Sequence, residues 1–313
     1  MAGAAAMAGA ASAPAKRRVR LSLRARECLL GILMSLPGIF VIAVFIVFPV
    51  VDAVRISLYD IDVLSDIETF VGFQNYVEVF RSPNFGTVLF NTAIWSVGSL
   101  VGQFVLGFVA ALLINRNLPG MKLVRSILLM PYVVPVIAVA LVTRWLLDGS
   151  YGIVSHSLQQ ADLLAHNQSA LASSTGAMIA VIVANVWRSF PFVMIAYWAA
   201  MQGIPREQYE AARIDGANKW QELIYVTLPN LVPVTVTLLI LRLFWTVTYF
   251  DLVWLITQGG PGSSTEHWPL WIYQEAMGFF RFGQAAAIAV TMSVSLIFCW
   301  GLYGVWKRAG GGK

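Results

Sequence analysis

The chain reads as an all-α polytopic membrane protein with six transmembrane helices, and three observations predict it. Its 313 residues are 58% hydrophobic and 12% charged, too few charges to cover a soluble surface of that size. Six apolar runs reach the roughly 20 residues that a helix needs to cross a hydrocarbon core. The basic residues gather in alternate intervals between those runs, as the positive-inside rule requires.

Taken in order, residues 1–28 open with the low-complexity stretch MAGAAAMAGAASAPA and continue into a basic flank, which predicts a disordered cytoplasmic N-terminus. The first apolar run, residues 29–51, is too long for a signal-peptide core and has no small-residue cleavage site after it, so it reads as a membrane anchor. The other spans are predicted at residues 88–114, 124–147, 175–201, 231–257 and 282–306, giving a six-helix transmembrane domain over 29–306 and a short tail at 307–313. With both termini cytoplasmic, the inner side holds 15 of the 21 Lys and Arg residues: Lys16, Arg17, Arg18, Arg20, Arg24, Arg26, Arg116, Lys122, Arg125, Arg206, Arg213, Lys219, Lys307, Arg308 and Lys313. This bias accounts for the net charge of +5 and gives no reason to expect nucleic acid.

The first external loop, residues 52–87, carries the acidic run Asp60, Asp62, Asp66 and Glu68 before FVGFQNYVEVF, an amphipathic stretch suited to a membrane face. The third external loop opens with Gly259, Gly260, Pro261 and Gly262, a cluster that forces a turn. Prolines inside spans (Pro37, Pro131, Pro135, Pro191) predict kinks that neighbouring membrane helices tolerate. Cys28 and Cys299 fall near cytoplasmic span ends, where a structural disulfide is not expected.

A hydrophilic island, EQYEAARIDGANKWQELIYVTLPNLVP at residues 207–233, interrupts the apolar second half. Pro205 suits a first helical turn, Glu207 and Glu210 favour the positive helix end, and Gly216 can take the positive φ that ends a helix sharply. A second short helix is expected near residues 218–226. In order and spacing, Glu210, Ala211, Ala212, Asp215, Gly216, Leu228, Pro229 and Pro233 resemble the EAA coupling loop (here 205–229) of ABC import permeases. FDLVWLITQGGPGSST at 250–265, FGQAAAIA at 282–289 and NVWRSFPF at 185–192 are similar to the carbohydrate-uptake branch of that family, in its maltose-permease-like, first-subunit form. The chain departs from the best-known maltose permease in having six predicted spans rather than eight and no large insertion.

The resemblance implies a type I ABC importer permease fold in the bacterial inner membrane. It also implies a second permease subunit, two ATP-binding subunits that hold ATP and Mg, and an extracytoplasmic solute-binding protein that delivers a carbohydrate or polyol. Glu210 would pair with the ATPase, with Gly216 in support. This chain itself would be no enzyme and would need no cofactor: its three histidines lack metal-ligand spacing, and its terminal GGGK lacks the phosphate-loop pattern.

Two spans carry polar stripes. Arg242, Trp245 or Thr246, and Tyr249 recur at i, i+3 or i+4, and i+7 on the fifth; Asn185, Arg188 or Ser189, and Phe192 do so on the fourth. A mid-membrane charge costs about 2.5–3.5 kcal/mol on insertion scales and needs a partner or a wet cavity. Aromatic faces with guanidinium, amide and hydroxyl groups suit a sugar, so these eight residues are the substrate-binding candidates. Packing aromatics, or arginines paired structurally with Asp251 or with backbone carbonyls, would explain the same pattern. An anionic solute such as a glycerol phosphate is the alternative cargo. An ion-coupled secondary transporter is the alternative mechanism, but only Asp251 is a candidate relay and no inverted repeat is visible.

Overall fold

A computed structural model describes residues 23–62, 67–116 and 119–310. The basic residues up to Arg20, Asp66 and the last three residues lie outside that set, as does the side chain of Cys28; Cys299 is exposed and free. The chain forms two compact units, one ending at Asp52 and the other beginning at Ala53. The first holds α1 (Leu23–Ile42), which contains Pro37 and continues through a π-helical turn, Ala43–Val47, into the start of α2 (Phe48–Ile56), whose last four residues are counted with the second.

In the second unit a β-hairpin follows, within the predicted first external loop. β1 (Tyr59–Asp62) pairs antiparallel with β2 (Ile67–Phe70) in the register Tyr59↔Phe70. The amphipathic stretch that follows forms α3 (Gln74–Arg81). Asn75 is buried beneath the hairpin and donates to the carbonyls of Ser57 and Tyr59, both at 2.9 Å.

α4 (Pro83–Ile114) starts where Ser82 Oγ accepts from Asn84 N–H with Pro83 in the first turn, and α8 (Ser174–Gln202) starts where Ser173 Oγ accepts from Gly176 N–H. Between them, the third predicted span is two helices rather than one. α5 (Met121–Val133) and α6 (Val136–Leu146) meet at 91°. Pro135 drives Val134 to extended backbone, φ −64° and ψ 130°, and the turn ends there. α7 (Ile153–Gln160) caps the following loop. Counting α5 and α6 as one span, six apolar segments among the described residues are long enough to cross a membrane.

The fifth predicted span also differs, at both ends. α9 (Arg206–Ile214) is followed by α10 (Lys219–Glu222), which runs on through a π-helical turn, Leu223–Thr227, into α11 (Leu228–Val247) without stopping at Pro229. Pro229 sits in the first turn of α11, where its missing N–H costs nothing. The far end breaks at Thr248 to Phe250, and a separate α12 (Asp251–Thr257) follows. α13 (Trp268–Tyr273) and α14 (Phe282–Gly310) complete the chain.

Among the described residues, three apolar cores organise this unit. One gathers Trp95, Val139, Val181, Ala184, Leu252 and Leu270; a second gathers Ala111, Phe190, Met194, Tyr197, Leu231 and Leu238; a third gathers Val79, Val88, Trp268, Trp271, Ala287 and Ile288. On α4, α8 and α11 the residues between the first two cores are polar and buried: Ser96, Ser99 and Gln103; Asn185 and Ser189; Arg242 and Thr246. The fold therefore holds a polar belt between two greasy layers.

Candidate functional site

Two features stand out chemically, the belt and the hydrophilic ridge. The ridge forms because local rules agree with one another. α9 ends in a complete Schellman arrangement: Gly216 takes φ +83°, its N–H donates to Arg213 O at 3.0 Å, and Ala217 N–H reaches back to Ala212 O at 2.9 Å. Asn218 and Gln221 then form a reciprocal capping box that starts α10. Across the bend, Glu222 takes Arg213 Nε at 2.8 Å and Lys219 Nζ at 3.1 Å, and Tyr209 OH meets Thr227 Oγ1 at 3.0 Å. The Glu222 carboxylate is buried and the cations are exposed.

The seven ridge residues expected from sequence divide between surface and frame. Glu210, Ala211, Asp215, Leu228 and Pro229 are exposed; Ala212 is half-buried; Gly216 makes the bend. Beside Glu210 the ridge also presents Ile214, 86% exposed, Trp220, 67%, and Tyr225, 74%. Large apolar side chains this exposed on an otherwise charged segment mark a contact surface, and the sequence pattern had not singled them out.

In the belt, Arg242 is 6% exposed and its Nε donates to Gln103 Oε1 at 2.9 Å. Its guanidinium carbon lies 5.9 Å from the centre of the Phe192 ring and 5.7 Å from that of Trp245, and those two rings are 5.4 Å apart. Arg188 lies 5.9 Å from the centre of the Tyr249 ring. Ser189 Oγ donates to Asn185 Oδ1 at 3.2 Å within α8. Thr246 is buried, and its carbonyl accepts Trp95 Nε1 at 2.9 Å. Thus Phe192, Arg242 and Trp245 form one group and Arg188 with Tyr249 another, while Ser189 occupies only the side-chain oxygen of Asn185.

Asp251 is exposed, and among the described residues no ion pair joins it to either arginine. Buried polar atoms without a protein partner concentrate here: Ser96 Oγ, Ser99 Oγ, Gln103 Nε2, Asn185 Nδ2, Arg188 Nε, Thr246 Oγ1 and Tyr249 OH. Such groups are costly unless they meet water or a ligand. Gln103, Ser96 and Ser99 were missed from the sequence, although their spacing of three and four on an apolar helix was the available signal.

The sequence profile of the family described as "Binding-protein-dependent transport system inner membrane component" matches residues 103–306. The chain is 34% identical to the trehalose/maltose transport system permease protein of Thermococcus litoralis, covering 88% of this chain and 94% of that one. It is 31% identical to the sulfoquinovosyl glycerol transport system permease protein of Agrobacterium fabrum, covering 84% and 85%. Among solved structures, it resembles a chain of a bacterial ABC transporter involved in the import of the acidic polysaccharide alginate. That likeness has a TM-score of 0.78 and 25% identity, over 91% of this chain and 97% of that one.

Proposed function

Because the chain belongs to the family of binding-protein-dependent transport system inner membrane components, we propose that it is the first of two permease subunits of an ATP-driven carbohydrate importer. Both termini and the ridge face the cytoplasm, and an external binding protein delivers the solute; relatives named for trehalose/maltose and for sulfoquinovosyl glycerol support the cargo class. A solved relative was crystallised with an alginate pentasaccharide-bound periplasmic protein, which supports the delivery step.

The observation that carries the mechanism is the exposed bent ridge joined without interruption to α11, which bears Arg242. Two ATPase subunits, holding ATP and Mg, close on one another and push the ridge. The push travels along a continuous helix into the belt, where Phe192, Trp245, Tyr249 and the polar groups of Asn185, Arg188, Ser189, Arg242 and Thr246 line the solute's path. Rings stack on the C–H faces of a sugar, and the guanidinium and amide groups bond its hydroxyls. Within this class, Arg188 and Arg242, with no carboxylate partner among the described residues, favour an acidic saccharide over a neutral one. Uptake of alginate oligosaccharide against maltose by the reconstituted complex separates these two cargoes.

Glu210→Lys is expected to leave membrane insertion intact and to lower both ATPase co-purification and ATP-driven uptake by about tenfold, the size of a charge contact worth ~1.4 kcal/mol. Normal ATPase attachment in that variant would remove Glu210 from the coupling surface. Uptake that persists without any ATPase subunit would favour an ion-coupled transporter instead.

A further inference from the structure

The break in the fifth membrane segment has only a weak local cause, the back-bonding of Thr248 Oγ1 to Phe244 O at 2.9 Å. Residues 242–251 contain neither proline nor glycine, the usual sources of a sharp break. The chain Thr246, Val247, Thr248, Tyr249, Phe250 is merely weak in helix propensity. What distinguishes the break is the pair of ring donors aimed at its carbonyls, of which Thr246 O also takes the Tyr249 N–H at 3.2 Å. Trp95 Nε1 donates to Thr246 O at 2.9 Å, and His267 Nε2 lies 2.9 Å from Tyr249 O. A carbonyl only accepts, so Nε2 carries the proton in this contact. Burial holds His267 down at about 4, so the ring is neutral at ordinary pH.

The two donors come from one rigid seam. Their rings are 5.8 Å apart, and His267 is fully buried although it belongs to a loop. That loop is fastened to α4 immediately beside Trp95. Asn91 Nδ2 donates to Ser263 O at 2.8 Å and to Glu266 O at 3.0 Å, and Thr92 Oγ1 accepts from Trp268 N–H at 3.1 Å. Thr265 closes the loop on itself through Thr257 Oγ1 at 2.7 Å and Gly260 O at 3.0 Å. Asn91, Thr92 and Trp95 share one face of α4, so a single strip of that helix holds both the loop and the break.

We infer that Trp95 and His267 are positioning residues for the transport path: their ring N–H groups hold the α11 to α12 break open and so set Thr246 and Tyr249 in the polar belt. Closing the break would hand the Thr246 and Tyr249 carbonyls to helical N–H groups four residues on and re-aim the chain from Tyr249 onward. The turn-forming cluster at residues 259–262 therefore serves to return His267 beneath the break, and it does more than join two spans. The inference rests on reading the belt as the solute path.

The test uses the assembled complex with its ATPase subunits, carrying Cys28→Ser and Cys299→Ser so that Thr246→Cys is the single thiol of this chain, whose labelling is read on the isolated band. Labelling by a small water-soluble methanethiosulfonate is timed with and without ATP. His267→Leu and Trp95→Phe are each expected to change the labelling rate by about fivefold or more, the size of one net hydrogen bond. His267→Gln, which keeps a donor, is expected to return most of that change. Should the leucine variant not assemble, Trp95→Phe carries the comparison, since it removes an N–H and keeps a ring. Labelling unchanged in the variants that assemble overturns the positioning role while leaving the path reading intact. A reporter that never labels in the otherwise unaltered complex rejects the path reading, and the positioning role falls with it.

Discussion

Gly107→Leu is expected to remove nearly all folded protein from the membrane. α4 and α8 approach each other along Gly98, Gly102 and Gly107, in the small-residue packing that brings membrane helices close. A Cβ at Gly107 would lie 2.8 Å from Val193 Cβ, 2.9 Å from Val193 Cγ1 and 3.1 Å from the Met194 backbone nitrogen. A backbone atom and a β-carbon cannot swing aside, so the helices themselves must separate. One extra methylene in a tight core costs about 1–3 kcal/mol, and leucine adds several carbons at the centre of the second apolar core. At Gly98 the nearest atom is Ile182 Cδ1, 2.9 Å away, the free end of a rotatable side chain. Alanine should therefore be tolerated at Gly98 and damaging at Gly107. Size-exclusion profiles of detergent-extracted protein and thermal unfolding check the order. Val193→Ala should rescue Gly107→Ala only slightly, because it removes Cγ1 and leaves the closer Val193 Cβ and the Met194 backbone nitrogen in place. Equal yields for Gly98→Ala and Gly107→Ala would show that the helix pair adjusts more freely than these contacts imply.

The contrast between ridge and break explains what could be read from sequence. The ridge was legible because every determinant is local. Pro205, Gly216, Asn218 and Gln221 lie within a few residues of the turns they make, and each acts through a backbone group beside it. The 91° corner was half legible: Pro131 and Pro135 announced a kink, but how far it turned depends on Val134 going extended and on what receives α6. The fifth span was misread as unbroken through residue 257 because its breakers are distant, Trp95 lying 151 positions from Thr246 and His267 18 from Tyr249. Periodicity within a span cannot report a donor from elsewhere in the chain. Gln103 escaped for the same reason, since its meaning comes from Arg242, 139 positions away.

Arg242→Met is expected to lower solute uptake by about 30-fold or more while leaving the complex assembled, on the basis of a charge-assisted contact worth roughly 2–3 kcal/mol. The argument turns on what a buried guanidinium costs. Its Nε has Gln103 as acceptor, and among the described residues no carboxylate neutralises it. Replacing such a group by an apolar side chain of similar length is often neutral or stabilising. If Arg242 served the fold alone, Arg242→Met should therefore alter thermal stability and leave uptake near normal. If it serves the path, the opposite pattern follows, with stability held or raised and uptake lost. Arg242→Lys separates charge from shape, because an ammonium lacks the planar face that lies near both Phe192 and Trp245. It should recover little uptake if stacking and the fork matter, and most of it if a positive charge suffices. Gln103→Leu provides the reciprocal change: it leaves the guanidinium buried without its acceptor, which is the destabilising half of the pair, so it should lower stability and uptake together. Unchanged uptake in Arg242→Met would move the solute's path away from this belt, whatever the stability of the variant.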